Sequence, residues 1–267
     1  MDNTLASMNR SGHNVSMILF YPLAAIRAIL IFMGMICYML FYAVSCVFIP
    51  HTSSRALKLR AHYLIYYCCP ILNIKIEIKG HPHTNTALYV ANHRSFADPI
   101  VLCRYIPAFV IAKAEVKSYP IINMGAELTG VIWVNRKDDE SRLQTRSKMV
   151  EVIQSGFNVL VFPEGTVSLT KQTLPFKKGT FMEAAQNNIP VIPVAIEYQS
   201  AKDLWVKEKF IPQYLHQFSK WKTTVKISFG APLSGPDGIQ LYNHAQSWIN
   251  QELNQMQKDW SEVFAKT

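Results

Sequence analysis

A chain of 267 residues, with 49% hydrophobic and 17% charged side chains, is long enough to bury one sizeable core and a small accessory element. Its formal charge of +9 calls for an acidic partner, nucleic acid or an anionic lipid surface. No basic helix or basic patch interleaved with aromatics is present to read nucleic acid, and five cysteines at 37, 46, 68, 69 and 103 without a C-x-x-C pair or metal-type histidine spacing read as buried, reduced thiols rather than a disulfide or zinc framework.

From Ala28 to Ile49 no charged residue occurs, and Met17–Ile26 is also apolar, with Pro22 and Arg27 as interruptions. A bilayer core takes roughly 20 apolar residues in a helix, so 28–49 is long enough to span. Pro22 and Arg27 also allow a kinked pair of segments that dips into one leaflet. Up to Lys75 the only acidic residue is Asp2, while Arg10, Arg27, Arg55, Lys58, Arg60 and Lys75 flank or interrupt the apolar stretch, an arrangement suited to phosphate headgroups. After Pro50, Ser53 or Ser54 is placed to cap a second helix with apolar positions Leu57, Ala61, Leu64, Ile65 and Cys68, expected to lie along the headgroup layer. The positive cluster after the apolar segment puts the remainder of the chain on the cytoplasmic side, as at a bacterial inner membrane or its equivalent.

Beyond Pro70 the texture changes. Ile74–Lys79 alternates at period two, and further β-type runs fall at Ala87–Ala91, Phe109–Ala112, Val131–Val134, Val159–Phe162, Val191–Tyr198 and Val225–Phe229. Between them Asp138–Gln154 reads as a helix, acidic first and basic later, with Gly156 after its end. Asp237–Phe264 reads as an amphipathic closing helix through Ile239, Tyr242, Trp248, Ile249, Leu253 and Met256. The expected fold class is α/β: a central sheet flanked by helices, preceded by an N-terminal hydrophobic membrane-attachment segment. The expected division is residues 1–70 for attachment and 71–267 for the α/β domain.

No G-x-G-x-x-G, Walker loop, G-x-S-x-G elbow or H-E-x-x-H occurs, which removes the main support for dinucleotide, nucleotide-triphosphate, common esterase and zincin readings. What remains is Tyr89-Val90-Ala91-Asn92-His93-Arg94-Ser95-Phe96-Ala97-Asp98-Pro99. It sets a histidine at the end of an apolar strand and a carboxylate five residues later. A histidine has the proton affinity to act as a base near neutral pH, and a carboxylate on its second ring nitrogen fixes the tautomer and stabilises the imidazolium. Taken singly, Asp98 before Pro99 is also a good helix start, and a lone strand-end histidine is usually an ordinary hydrogen-bonding residue.

Together with Gly130-Val131-Ile132-Trp133-Val134-Asn135-Arg136, Phe162-Pro163-Glu164-Gly165-Thr166 and Ile189-Pro190-Val191-Ile192-Pro193-Val194, this N-H-x-x-x-x-D segment resembles, in order, the four motifs of the glycerolipid acyltransferases typified by 1-acylglycerol-3-phosphate acyltransferases. The resemblance covers roughly residues 73–230. It implies transfer of a fatty acyl chain from acyl-CoA or acyl-carrier protein to the sn-2 hydroxyl of lysophosphatidic acid, giving phosphatidic acid, with His93 and Asp98 as the catalytic pair. Arg136, Glu164, Gly165 and Thr166 would then hold the acceptor, and Lys177 and Lys178 supply two further cations nearby. From the residues alone, Arg136 suits a phosphate or a surface ion pair equally, and Glu164-Gly165-Thr166 is either a turn presenting N–H groups or a simple turn. No metal or bound cofactor is implied. The family commonly has an arginine after the third motif's threonine, and here that position is Val167. A different headgroup, such as that of a lyso-aminolipid, is therefore the alternative acceptor. A non-catalytic lipid-binding protein on the same fold is a further reading, against which the intact His93, Asp98 and Glu164 argue.

Overall fold

The computed structural model describes residues 20–118, 120–258 and 260. Arg10, the start of the Met17–Ile26 stretch and the 261–264 end of the expected closing helix lie outside them.

The chain opens with α1 (Tyr21–Phe48), an uninterrupted helix about 42 Å long at 1.5 Å per residue. Pro22 sits in its first turn, where a missing N–H costs nothing, so no kink forms. Arg27 departs from the expected headgroup role. It is buried inside the protein, and its guanidinium donates to the carbonyls of Phe218 (3.0 Å), Lys220 (2.7 Å) and Trp221 (2.8 Å). The physical reason is that a guanidinium with five N–H donors, on an apolar helix, finds three carbonyls close by at and just beyond the C-terminal end of the helix Phe210–Phe218. Arg55 likewise donates to the carbonyls of Ile49 and Pro50, at 2.6 and 2.7 Å, just beyond the α1 C-terminus, where the helix dipole favours a cation. Arg60 binds the carbonyls of Thr129 and Ala108. Three of the basic residues around the apolar segment thus tie protein to protein.

Helix α2 (Ser53–Tyr63) is capped by Thr52 rather than Ser53 or Ser54; the Thr52 hydroxyl accepts from the Arg55 N–H. It runs into a wider π turn at Leu64–Cys68, and Tyr63, Leu64, Cys68 and Cys69 enter the main core. Tyr63 and Tyr67 donate their hydroxyls to the Ile31 and Leu30 carbonyls of α1. Gly34 of α1 lies against the Tyr67 ring, which an added Cβ would overlap. Gly34→Leu is therefore expected to destabilise the protein by about 1–3 kcal/mol through overpacking, measured as a lower thermal midpoint in detergent. Of the cysteines, Cys68, Cys69 and Cys103 are buried as expected, but Cys37 is exposed and Cys46 half-buried. Both belong to α1, much of whose surface faces outward.

Apart from short helical turns at Cys69–Ile71, Ala114–Ser118 and Ala201–Asp203, the further elements among the described residues are β1 (Ile74–Lys79), β2 (Leu88–Ala91), α3 (Asp98–Leu102), β3 (Ala108–Lys113), α4 (Pro120–Leu128), β4 (Val131–Val134), α5 (Asp139–Gln154), β5 (Asn158–Val161), α6 (Gly179–Gln186), β6 (Val191–Tyr198), α7 (Phe210–Phe218), β7 (Thr223–Phe229) and α8 (Gly238–Gln257). The seven strands form one sheet in the order β1-β7-β6-β2-β5-β3-β4, parallel except for the β6–β7 pair. Strand β7 starts earlier than Val225 because Thr223 and Thr224 continue the pairing with Ile74 and Lys75.

Side chains of alternate residues supply two cores. Tyr89, Ala91, Ile192, Val194 and Ile196 face the layer of α1, α2, α3 and α7, while Leu88, Val90, Val159, Val191 and Ala195 face α5, α6 and α8. Burial on both faces explains why β2 and β6 read as near-continuous apolar runs. Strand β2 lies between β6 and β5 in the middle of the sheet. Its C-terminal end therefore opens beside that of β5, in the region where parallel α/β sheets build their sites.

Candidate active site

His93 follows β2 by two residues, and its backbone is held on both sides by the segment that follows β5. The His93 N–H donates to Glu164 Oε1 at 2.7 Å, and the His93 carbonyl accepts from the Ser168 N–H at 2.8 Å. Just before it, the Asn92 side chain exchanges two hydrogen bonds with the Ile196 backbone, at 2.9 and 2.8 Å, pinning the end of β2 to β6. The imidazole stacks on Phe162, with ring centroids 4.4 Å apart.

The chain then turns sharply through Arg94–Ala97 into α3, which carries the Asp98 carboxylate back to the histidine. Asp98 Oδ2 lies 2.6 Å from His93 Nδ1 and also accepts from the Arg94 and Ser95 N–H groups at 2.7 and 2.9 Å. Oδ1 accepts from the Tyr198 hydroxyl at 2.8 Å. Asp98 is fully buried, and this set of four donors compensates its lost hydration. It does not cap the helix: the N-cap position belongs to Ala97, with no side-chain bond. With Nδ1 facing Asp98, Nε2 is the ring nitrogen left for other partners. His93 keeps 15% of its side chain exposed while Asp98 keeps none, a geometry in which an outside molecule reaches the imidazole but not the carboxylate.

Glu164 is buried, and both its oxygens serve the backbone, Oε1 at His93 and Oε2 at the Leu174 N–H, 2.7 Å away. Burial raises its pKa, opposed by those two hydrogen bonds and by Arg94. Each oxygen retains a second lone pair. Gly165 takes a φ of +72°, so the turn after Glu164 needs glycine there. Its carbonyl accepts from Arg136, which follows β4, and Lys177 packs over the glycine, its Cε 2.9 Å from where a Cβ would stand. Gly165→Ala is expected to cost about 1–2 kcal/mol of stability for the left-handed backbone alone and to lower turnover. Thermal unfolding and acyl-transfer rate measured on the same preparation test it. Burial lowers the Arg136 pKa, and the nearby Glu115 carboxylate opposes that shift. Thr166 is exposed at the rim. Lys178 turns away to α8, its ammonium 5.7 Å from the Tyr242 ring centroid.

Three participants escape sequence reasoning. Tyr198 contacts Asp98 from 100 residues away. Arg94, fully buried, pairs with the equally buried Glu197 at 3.0 Å and donates to the carbonyls of Ser168, Thr170 and Lys171, clamping the loop beyond Val167. Gln217 of α7 accepts from the Ser95 hydroxyl at 2.8 Å. The legible sign was Glu197, a carboxylate inside an apolar strand, which requires a buried partner. Among the described residues no group of three or more His, Cys, Asp or Glu side chains converges to hold a metal ion.

Residues 73–197 match the family model described as Acyltransferase. The chain is 31% identical over 131 residues to a lyso-ornithine lipid O-acyltransferase of Pseudomonas aeruginosa, covering 49% of this chain and 50% of that protein. It is 34% identical over 142 residues to a chloroplastic 1-acyl-sn-glycerol-3-phosphate acyltransferase of Arabidopsis thaliana, covering 52% of this chain and 39% of that protein. The matches thus span about half, or less, of the length of these relatives. The crystal structure of the 1-acyl-sn-glycerophosphate (LPA) acyltransferase PlsC from Thermotoga maritima superimposes with a TM-score of 0.64 at 19% identity, over 90% of this chain and 100% of that one, a likeness of fold. The four motifs, from Asn92 to Val194, all lie within the residues that match the Acyltransferase family model, and the sheet brings the first three of them to one end of the fold.

Proposed function

We propose that the protein is an O-acyltransferase that moves a fatty acyl chain from an acyl thioester, acyl-CoA or acyl-carrier protein, to the sn-2 hydroxyl of 1-acylglycerol-3-phosphate, giving phosphatidic acid. The observation that carries this reading is the 2.6 Å His93 Nδ1–Asp98 Oδ2 contact, which leaves Nε2 free as general base at the open end of the site. The acceptor hydroxyl oxygen attacks the thioester carbonyl carbon while its proton passes to Nε2. Asp98 stabilises the resulting imidazolium. Collapse of the tetrahedral intermediate breaks the carbon–sulfur bond, and the thiolate leaves and takes the proton. Because a thiolate is a good leaving group, no protein nucleophile is needed. Arg136, Glu164, Gly165, Thr166 and Lys177 form the acceptor end, with Lys177 and Arg136 supplying the positive charge.

A second reading keeps the chemistry and changes the acceptor to a lyso-aminolipid. It is favoured by the uncharged Val167 in the third motif and by the similarity to the lyso-ornithine lipid enzyme. Offering lysophosphatidic acid, other lysophospholipids and a lyso-aminolipid in parallel, with one labelled acyl thioester and the reconstituted protein, separates the two. A preference for the phosphate acceptor supports the first reading, and a preference for the aminolipid overturns it in favour of the second. Release of free fatty acid without an acceptor would instead mean that water is the acyl acceptor.

Residues 1–70 serve membrane attachment and 71–267 catalysis in this proposal, with the catalytic domain on the cytoplasmic face. Helix α1 is long and apolar enough to cross a membrane, yet from Ala24 to Tyr42 one flank is bonded to α7, α2 and the loops around them. The opposite flank leaves Ile29, Met33, Leu40, Val44, Val47 and Phe48 exposed. Met124 of α4 and Ile211 of α7, on neighbouring helices, are exposed as well, as is Trp221. This pattern fits a helix lying in one leaflet with the domain docked along it.

A further inference from the structure

Asp98 is shared unequally. Its Oδ2 accepts from His93 and from two backbone N–H groups, all three from the five residues that precede it. Among the described residues its Oδ1 has one hydrogen-bond partner, the hydroxyl of Tyr198, 2.8 Å away at the end of β6. Both side chains are fully buried, so no solvent competes for this bond. Burial and the Asp98 charge both raise the Tyr198 pKa, so the phenol stays protonated and serves as a donor throughout the working pH range.

We propose that Tyr198 is a positioning residue of the acyl-transfer site, holding the unshared oxygen of Asp98 and thereby setting the proton affinity of the His93 imidazole. This rests on the assignment of His93 as general base given above. The chemistry is electrostatic. A phenol donating to Oδ1 draws negative charge from the carboxylate, so Asp98 stabilises the imidazolium less strongly than a carboxylate with a bare Oδ1 would. His93 then remains neutral, and hence basic, at a lower pH. The other ionisable groups facing this triad are Glu164 on the His93 N–H, the Arg94–Glu197 pair behind it, and Asp203 beside Tyr198. None of these donates to Oδ1, so none replaces the phenol.

Two replacements at this position move the system in opposite directions. Tyr198→Phe removes the donor and keeps the ring. 3-Fluorotyrosine keeps the ring and makes the phenol more acidic, hence a stronger donor. The measurement is the titration of the His93 imidazole by NMR in detergent-solubilised, histidine-labelled protein, assigned with His93→Gln, alongside the pH profile of kcat/KM. The expected result for Tyr198→Phe is a rise of the His93 midpoint by about half to one pH unit, with the acid limb of the profile moving by the same amount and the rate recovering towards wild type at alkaline pH. For 3-fluorotyrosine the midpoint falls. An unchanged His93 midpoint in both variants, or a rate loss equal at every pH, overturns the proposal and leaves Tyr198 a packing residue. Should Tyr198→Phe fail to fold, the fluorinated protein decides alone. The NMR midpoint needs no turnover, so a failure of the acyltransferase assignment shows separately, as wild-type protein inactive on every acceptor.

Discussion

Replacing His93 with alanine is expected to lower acyl transfer by roughly 10²–10⁴-fold, the usual worth of a positioned general base, while leaving the fold in place. The structural half of that expectation follows from the partners. The imidazole touches Phe162 and Asp98 and is partly open to solvent, so its loss opens space at the mouth of the site rather than in the core. Asp98 keeps the Arg94, Ser95 and Tyr198 donors, and the backbone bonds of residue 93 to Glu164 and Ser168 do not involve the ring. Circular dichroism and the thermal midpoint should therefore match wild type within error, with turnover from a labelled acyl thioester as the activity readout. Full turnover in this variant would sink the proposed mechanism.

Glu197→Ala should do the reverse, costing about 3–5 kcal/mol of stability because it strands a buried charge. Glu197 accepts from Arg94 at 3.0 Å, from Gln257 of α8 at 2.7 Å and from the Tyr198 N–H at 3.1 Å. Removing it takes from the fully buried Arg94 guanidinium the carboxylate it pairs with at 3.0 Å, a large loss against the roughly 5–15 kcal/mol that holds an ordinary domain together. Urea unfolding in detergent measures the change. The double variant Arg94→Met with Glu197→Leu should unfold closer to wild type than Glu197→Ala does, since apolar side chains of similar volume need no charge partner. It should nevertheless turn over slowly, because the Ser168, Thr170 and Lys171 carbonyls lose their clamp and Ser168 holds the His93 carbonyl. A double variant as unstable as the single one would show that the loop contacts, rather than the charge pair, carry the stability.

Much of the frame was legible before the structure. All seven strands lie where period-two alternation or short apolar runs predict them, with ends shifted by a residue or two. Helix α5 begins at its Asp138 cap. The closing helix α8 starts at Asp237, whose side chain accepts from the Ile239 and Gln240 N–H groups, and ends at Gln257. Short helices were harder: α4, α6 and α7 carry too few turns for an apolar stripe to stand out from neighbouring loops. The direction of β6 against β7 was equally hidden, because alternation is the same whichever way a strand runs.

By itself the sequence determined what depends on short reach: an apolar helix at the start, the alternating strands, and a histidine with a carboxylate five residues on, close enough for one tight turn to join them. The order of four motifs was also there to be read. Only the tertiary structure decided that Glu164 and Tyr198, 71 and 100 residues from their partners, complete that pair, that Arg94 is spent on Glu197, and that Arg27 binds loop carbonyls instead of headgroups. The physical reason is that local spacing sets which side chains can reach one another within a turn or two. Which strand ends lie side by side depends on how whole apolar faces find the least exposed packing, a property of the sheet order and of no single segment.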